Sequence, residues 1–213
     1  MLDGGTMGKD PNSIKPAAAS AQAVEKRVKL AWGITGAGDL IAEIFETMVD
    51  LKKSGNFKIT ALLSKAAVKV LKAYRLWDTL PTIADKILVE KDANTPFVVG
   101  ALQTRKYDAL LVAPVTGNSA AKIACGIADT LITNAVSMTT RTKTPVYVLP
   151  VEKEGNEVNT TLPDGSKLEL FTRDLDAQNT AKLGQIKGIS VLDAPEDIKR
   201  ILIGLLKTTA FER

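Results

Sequence analysis

Two short segments of this chain gather hydrogen-bond donors where an anion is best held. The apolar run 107–112 empties into Ala113-Pro-Val-Thr-Gly-Asn-Ser119, and a helical pattern starts at once. Backbone N–H groups, Thr116, Asn118 and Ser119 thereby meet at a helix N-terminus, where the macrodipole favours negative charge. The run 28–35 behaves alike, ending in Gly36-Ala37-Gly38-Asp39 before a second helical pattern. Two such strand mouths in one open sheet point to a ligand that carries phosphate. A dinucleotide matches poorly. The third glycine of the G-x-G-x-x-G pattern falls on Ile41, and the second strand ends in Leu63-Ser64-Lys65, without an acid for a ribose 2′-hydroxyl. A hydroxyl at that tip suits a mononucleotide phosphate or a ribityl chain better. No Gly-Lys-Ser/Thr pair is present for a nucleoside triphosphate. The glycines also have a purely local reading, a tight strand-to-helix turn.

The chain has no histidine, which removes imidazole bases, Ser-His-Asp chemistry and the usual zinc and iron sites. Its chemistry is therefore expected from a bound cofactor. The single cysteine, Cys125, excludes an internal disulfide and reads as a thiol packed on the apolar side of a helix. A net charge of +4 is spread along the sequence with no basic run interleaved with aromatics, so no nucleic-acid partner is expected. No apolar run approaches the roughly 20 residues that span a bilayer, and no secretory signal is recognisable, so the cytoplasm is the expected location.

The elements that must position these residues alternate. At 213 residues and 45% hydrophobic content, the chain fits a single domain, expected over 28–213 behind a flexible leader at 1–27. Strands are expected at 28–35, 57–63, 107–113, 145–149 and 189–192. Helices are expected at 39–53, 65–74 with Ser64 as cap, 96–103, 118–137, from 175, and at 194–206. Segment 76–88 reads as helical or irregular. Alternation of this kind implies a mainly parallel α/β sheet covered on both faces. The Pro163-Asp-Gly165 turn between two strand-like runs marks a C-terminal β-hairpin at 159–170.

Several motifs then resemble one known family in order. Gly33-Ile-Thr-Gly-Ala-Gly38, Leu63-Ser-Lys-Ala66, Ala113-Pro-Val-Thr-Gly-Asn-Ser-Ala-Ala-Lys122, Gly126-Ile-Ala-Asp129 and Pro145-Val-Tyr-Val-Leu-Pro150 resemble the homo-oligomeric flavin-containing cysteine decarboxylase superfamily. Trp32-Gly-Ile-Thr-Gly36, Glu90-Lys-Asp-Ala-Asn-Thr-Pro-Phe97 and Asn159-Thr-Thr-Leu-Pro-Asp-Gly165 resemble its archaeoflavoprotein and dihydromethanopterin reductase (acceptor) branch. The resemblance covers about residues 28–206. It implies a three-layer flavodoxin-like fold that binds FMN, in a homotrimer or multiple of trimers. It implies that Gly36, Ala37, Gly38 and Asp39 line a phosphate and ribityl turn, and that Ser64 sits at the phosphate end. Pro114, Thr116, Asn118 and Ser119 would hold the phosphate or flavin edge, with Lys122 one turn beyond. Thr139, Thr140 and Arg141 would approach the flavin after the long helix, where a guanidinium stabilises a reduced flavin anion.

The departures matter as well. The decarboxylases of that superfamily rely on a histidine and on Pro-Ala-Ser-Ala-Asn-Thr and Pro-Ala-Met-Asn motifs. This chain has Pro114-Val-Thr-Gly-Asn118 and Leu149-Pro-Val151, so decarboxylation is not expected. The resemblance implies instead an FMN-dependent oxidoreductase that passes hydride to a pterin such as dihydromethanopterin, with a positive site for the substrate's acidic tail. The alternative is an electron-transfer flavoprotein served by ferredoxin, with Lys65, Lys69 and Lys72 as a docking stripe; a solvated helix face accounts for the same lysines.

Overall fold

A computed structural model describes residues 27–152 and 157–211; the expected leader lies outside them. Six parallel strands form the central sheet: β1 (Val28–Ile34), β2 (Phe57–Leu63), β3 (Lys86–Val89), β4 (Ala109–Val115), β5 (Val146–Pro150) and β8 (Ile189–Val191). Their order is β3-β2-β1-β4-β5-β8. A separate antiparallel hairpin pairs β6 (Glu157–Thr161) with β7 (Lys167–Phe171). The architecture is the flavodoxin-like three-layer fold, and the chain reverses direction across the sheet between β1 and β4.

The alternation of β1 explains how both faces are covered. Leu30, Trp32 and Ile34 point to one layer, where α1 (Ile41–Lys53) and α8 (Pro195–Phe211) pack. Ala31 and Gly33 point to the other, and their small size lets α6 (Leu131–Thr139) come close. A Cβ on Gly33 would stand 3.2 Å from Ile132 Cδ1. In α1 the buried residues Ile41, Ile44, Phe45, Met48 and Leu51 repeat at helical spacing. Trp32 and Phe45 meet with ring centroids 5.2 Å apart, tilted by 57°. Leu40 takes the N-cap position at φ 59 and packs, half-buried, against the same cluster.

Two expected segments are organised differently, and other element ends shift by a few residues, as in the helix expected at 96–103, which begins at Val99. The long helix over 118–137 is two helices, α5 (Gly117–Ala124) and α6. Gly126 turns the chain at φ 73, and Thr130 restarts it through a reciprocal capping box with Thr133. Cys125 consequently sits at the C-cap of α5 and is exposed, not packed. Segment 76–88 holds the short helix α3 (Leu80–Ile83) and the start of β3. As a four-residue edge strand, β3 lacks the continuous apolar run that marks the central ones. The remaining helices are α2 (Lys65–Ala73), α4 (Val99–Gln103) and α7 (Asp174–Leu183). Among the described residues, no helix is long and apolar enough to cross a membrane.

Candidate functional site

Ligands in open parallel sheets bind beyond the carboxyl ends of the strands, at the point where the strand order reverses. Here that point lies between the β1 turn, residues 35–40, and the β4 turn, residues 116–119. Thr35 ties the two turns together. Its hydroxyl donates to the Pro114 carbonyl at 2.8 Å and accepts from the Thr116 N–H at 2.9 Å. The Thr35 N–H also donates to Pro114 O at 3.3 Å, and the Trp32 indole N–H donates to Ala113 O at 2.9 Å. The Ala113–Pro114 peptide is cis, and the β4–β5 register shifts between Val112 and Val115. Thr35 was not among the expected site residues. Its buried hydroxyl makes it the organiser of the junction.

The expected donors divide by what their hydrogens already do. Thr116 is the N-cap of α5: its Oγ1 accepts the Ser119 N–H at 3.2 Å and donates to Ser119 Oγ at 3.1 Å. Thr116 is thereby spent on the fold, while the Ser119 hydroxyl keeps its own proton to donate. Ser64 caps α2 by accepting the Ala67 N–H at 3.0 Å, and its O–H is likewise left over. Among the described residues, no hydrogen bond uses the N–H groups of Gly36, Ala37, Gly38 or Asp39. Asn118 is exposed.

Lys122 is committed elsewhere, since its Nζ bonds both Asp129 carboxylate oxygens, at 3.0 and 2.8 Å. That contact lowers the Asp129 pKa. Within one chain, Thr139, Thr140 and Arg141 stand at the end of the sheet opposite the β1 and β4 turns. Thr139 is fully buried and donates to Ala135 O at 2.6 Å. Thr140 O lies 3.8 Å from where a Cβ on Gly188 would be, and the Gly188 carbonyl accepts from Val146, the first residue of β5. Within one chain, then, these three do not reach the crevice. Helix α6 runs back along the sheet and carries its C-terminus away.

Close approach explains the two glycines of the β1 turn. A Cβ on Gly36 would lie 2.5 Å from Ala66 Cβ on α2, and one on Gly38 would lie 2.3 Å from the Tyr74 hydroxyl. Tyr74 in turn donates to Thr161 O of the hairpin at 3.0 Å. This contact places the hairpin over the β1 turn. Beneath it is a cavity of about 940 Å³, walled by Gly38, Asp39, Arg75, Val151 and the turn residues Thr161 to Asp164. The Pro-Asp-Gly turn is legible in sequence; its position over β1 is not. Among the described residues the cavity lining is acidic, with Asp39, Glu43, Asp164 and Asp193 against the single cation Arg75.

Carboxylates also stand at helix starts. Glu90 accepts from the first N–H of α2 at 3.2 Å and from the first N–H of α6 at 3.4 Å. Glu152 follows the cavity residues Pro150 and Val151. It presses on Gly117, the first residue of α5, where a Cβ would lie 3.2 Å from Glu152 Oε1 and 2.9 Å from Asp176 Oδ1. Burial raises the Glu152 pKa; the Gly117 N–H opposes this, and the charges of Asp176 and Asp39 add to it. Asp176 is held low by its hydrogen bonds from Arg173, whose Nε and Nη2 donate at 2.7 and 2.9 Å.

A family model described as Flavoprotein matches residues 18–209, nearly the whole sequence and part of the expected leader. The chain belongs to the flavoprotein family. It is 48% identical over 176 residues to an uncharacterized protein of Methanocaldococcus jannaschii, covering 83% of this chain and 95% of that one. It is 29% identical to the dihydromethanopterin reductase (acceptor) of Methanosarcina mazei, over 80% of this flavoprotein and 97% of the reductase. The solved structure of Burkholderia xenovorans DmrB in complex with FMN, described as a cubic protein cage for redox transfer, superposes with a TM-score of 0.73. That match has 25% identity and covers 86% of this chain and 98% of DmrB.

Proposed function

We propose that this flavoprotein is an FMN-dependent reductase that delivers electrons to a C=N bond of a reduced pterin such as dihydromethanopterin. The carrying observation is that the β1 turn, with its unspent N–H groups, opens into the cavity under the hairpin. The residues fit the phosphate and ribityl end of FMN. The N–H groups of Gly36, Ala37, Gly38 and Asp39 are available, and the free hydroxyl protons of Ser64 and Ser119 extend the donor set. Pro114 and Thr116 hold the loop that presents Asn118 and Ser119. Bound FMN supplies the hydride chemistry for which this chain has no group of its own.

The cavity volume suits a second small ligand beside the cofactor. Its carboxylates suit the amino-oxo edge of a pterin, whose parallel N–H donors one carboxylate can accept in a fork. The acidic tail expected to find a positive site meets, among the described residues, only Arg75 in this lining, so the tail points outward in this reading. Kinship to the Methanosarcina mazei reductase supports the same substrate class, and the FMN complex of DmrB supports the cofactor. A homo-oligomer is part of the proposal: Leu170 and Phe171 on the hairpin, and Phe97 at 85% exposure, are apolar surface that a second copy would cover.

The test is anaerobic mixing of the photoreduced protein with a dihydropterin. Flavin absorbance should return as the pterin is reduced; a flavin that stays reduced refutes the pterin reading. One observation favours electron carriage as a second reading. Lys65 and Lys69 are exposed on α2, directly after Ser64, where an acidic ferredoxin would dock. Reduced ferredoxin should then bleach the flavin at a rate that falls with added salt.

A further inference from the structure

The orphaned carboxyl oxygen beside the crevice has a consequence for how the cofactor binds. Glu152 Oε2 is buried with no hydrogen-bond partner among the described residues. The backbone at Glu152 is fixed, because its carbonyl accepts the Thr180 hydroxyl of α7 at 2.9 Å. The charged groups that face it come from three elements: Asp39 from the β1 turn, Asp176 from α7, and Arg173 just before α7. Arg173 has its Nε and Nη2 on Asp176, and Lys122 of α5 is taken by Asp129. Among the described residues, a carboxylate at Glu152 therefore faces two like charges, while Arg173, whose charge it feels, is hydrogen-bonded to Asp176. The Gly117 N–H, its own backbone N–H and the charge of Arg173 favour its ionised form, against burial and the two carboxylates.

We propose that Glu152 is the proton-exchanging group of the flavin crevice, taking up one proton from solvent as the anionic cofactor binds and holding it on Oε2. The proposal rests on the FMN reading. A phosphate monoester brings roughly −1.5 to −2 charge at neutral pH into a crevice that already carries Asp39 and Asp176. Adding H⁺ to the Glu152 carboxylate gives the neutral acid. That removes one repulsive charge and turns Oε2 from an acceptor without a partner into a donor. Burial, which already raises the Glu152 pKa, acts in the same direction. In a chain with no histidine, this buried carboxyl is a group of the site able to exchange a proton.

The test uses the full chain freed of flavin, titrated with FMN by calorimetry in buffers of different ionisation enthalpy across a pH series. Wild type should take up close to one proton per FMN beyond the phosphate's own. Its Kd should rise about tenfold per pH unit above the Glu152 pKa of the free protein. Glu152→Gln should take up no extra proton and show a flat profile, while Glu152→Asp, which keeps a carboxyl, should keep the uptake. Equal proton counts for wild type and Glu152→Gln overturn the proposal. So does absence of uptake in wild type, or its loss in Glu152→Asp if Glu152→Gln does not fold. Absence of binding heat with every protein instead refutes the FMN reading itself.

Discussion

Gly36→Ala is the most direct probe of how the cradle is built. The new Cβ would stand 2.5 Å from Ala66 Cβ, whereas carbon atoms in contact sit at about 3.5–4.0 Å. The β1 turn and the start of α2 must therefore part by roughly 1 Å or more. Neither side can turn away, because both atoms are bonded directly to backbone, and Gly36 is not at a positive φ that would add strain of its own. Overpacking of this kind costs about 1–3 kcal/mol, or about 2–12 °C in Tm for a domain of this size. Ala66→Gly removes the opposing methyl at an exposed helical position and should cost about 1 kcal/mol by itself. The assay is a four-protein cycle by urea unfolding. The double variant should recover at least half of the Gly36→Ala loss, a coupling of about 0.5–1.5 kcal/mol or more. Additive losses would refute the contact and with it the close seating of α2 against the β1 turn.

Two more substitutions separate structural from binding roles. Ser64→Ala should cost about 1 kcal/mol through the lost cap of α2, and Ser64→Gly only a few tenths. Both should weaken FMN to the same degree, roughly tenfold or more, since both lose the outward hydroxyl; unequal losses in flavin titrations would tie affinity to the cap instead. At the other end of the sheet, burial pushes the Asp85 pKa up, but the Lys52 contact at 2.6 Å and the Ile59 N–H at 2.8 Å outweigh it and leave it below 3.8. A lowered carboxyl contributes stability above its unfolded pKa and loses it as pH falls through the folded value. Asp85→Asn should thus cost about 1 kcal/mol at pH 7, with the gap to wild type closing below about pH 3.8 in urea titrations.

Much of the fold is legible from periodicity. The residues 57–63 and the Ser64 cap are found as expected because a strand buried on both faces reads as an unbroken apolar run, and a cap is local chemistry. What escapes is either short or broken by one residue. The edge strand β3 has no apolar run to announce it, and Gly126 at φ 73 divides a continuous helical pattern into α5 and α6. That break also explains Cys125, which a single long helix would have packed inward.

By itself the sequence determined the alternating layers, the two donor-rich strand mouths and the absence of an imidazole, because each depends on residue type and near neighbours. Tertiary structure decided which donors remain free. Thr116 is consumed by capping and Lys122 by Asp129, while Ser64, Ser119 and the β1 turn keep protons to give. It also set Thr139 to Arg141 at the far end of the sheet, drew the hairpin over β1 through Tyr74, and brought Glu152 against Gly117. Hydrogen-bond supply and burial are properties of neighbours distant in sequence, and a chain read along its length contains no term for them.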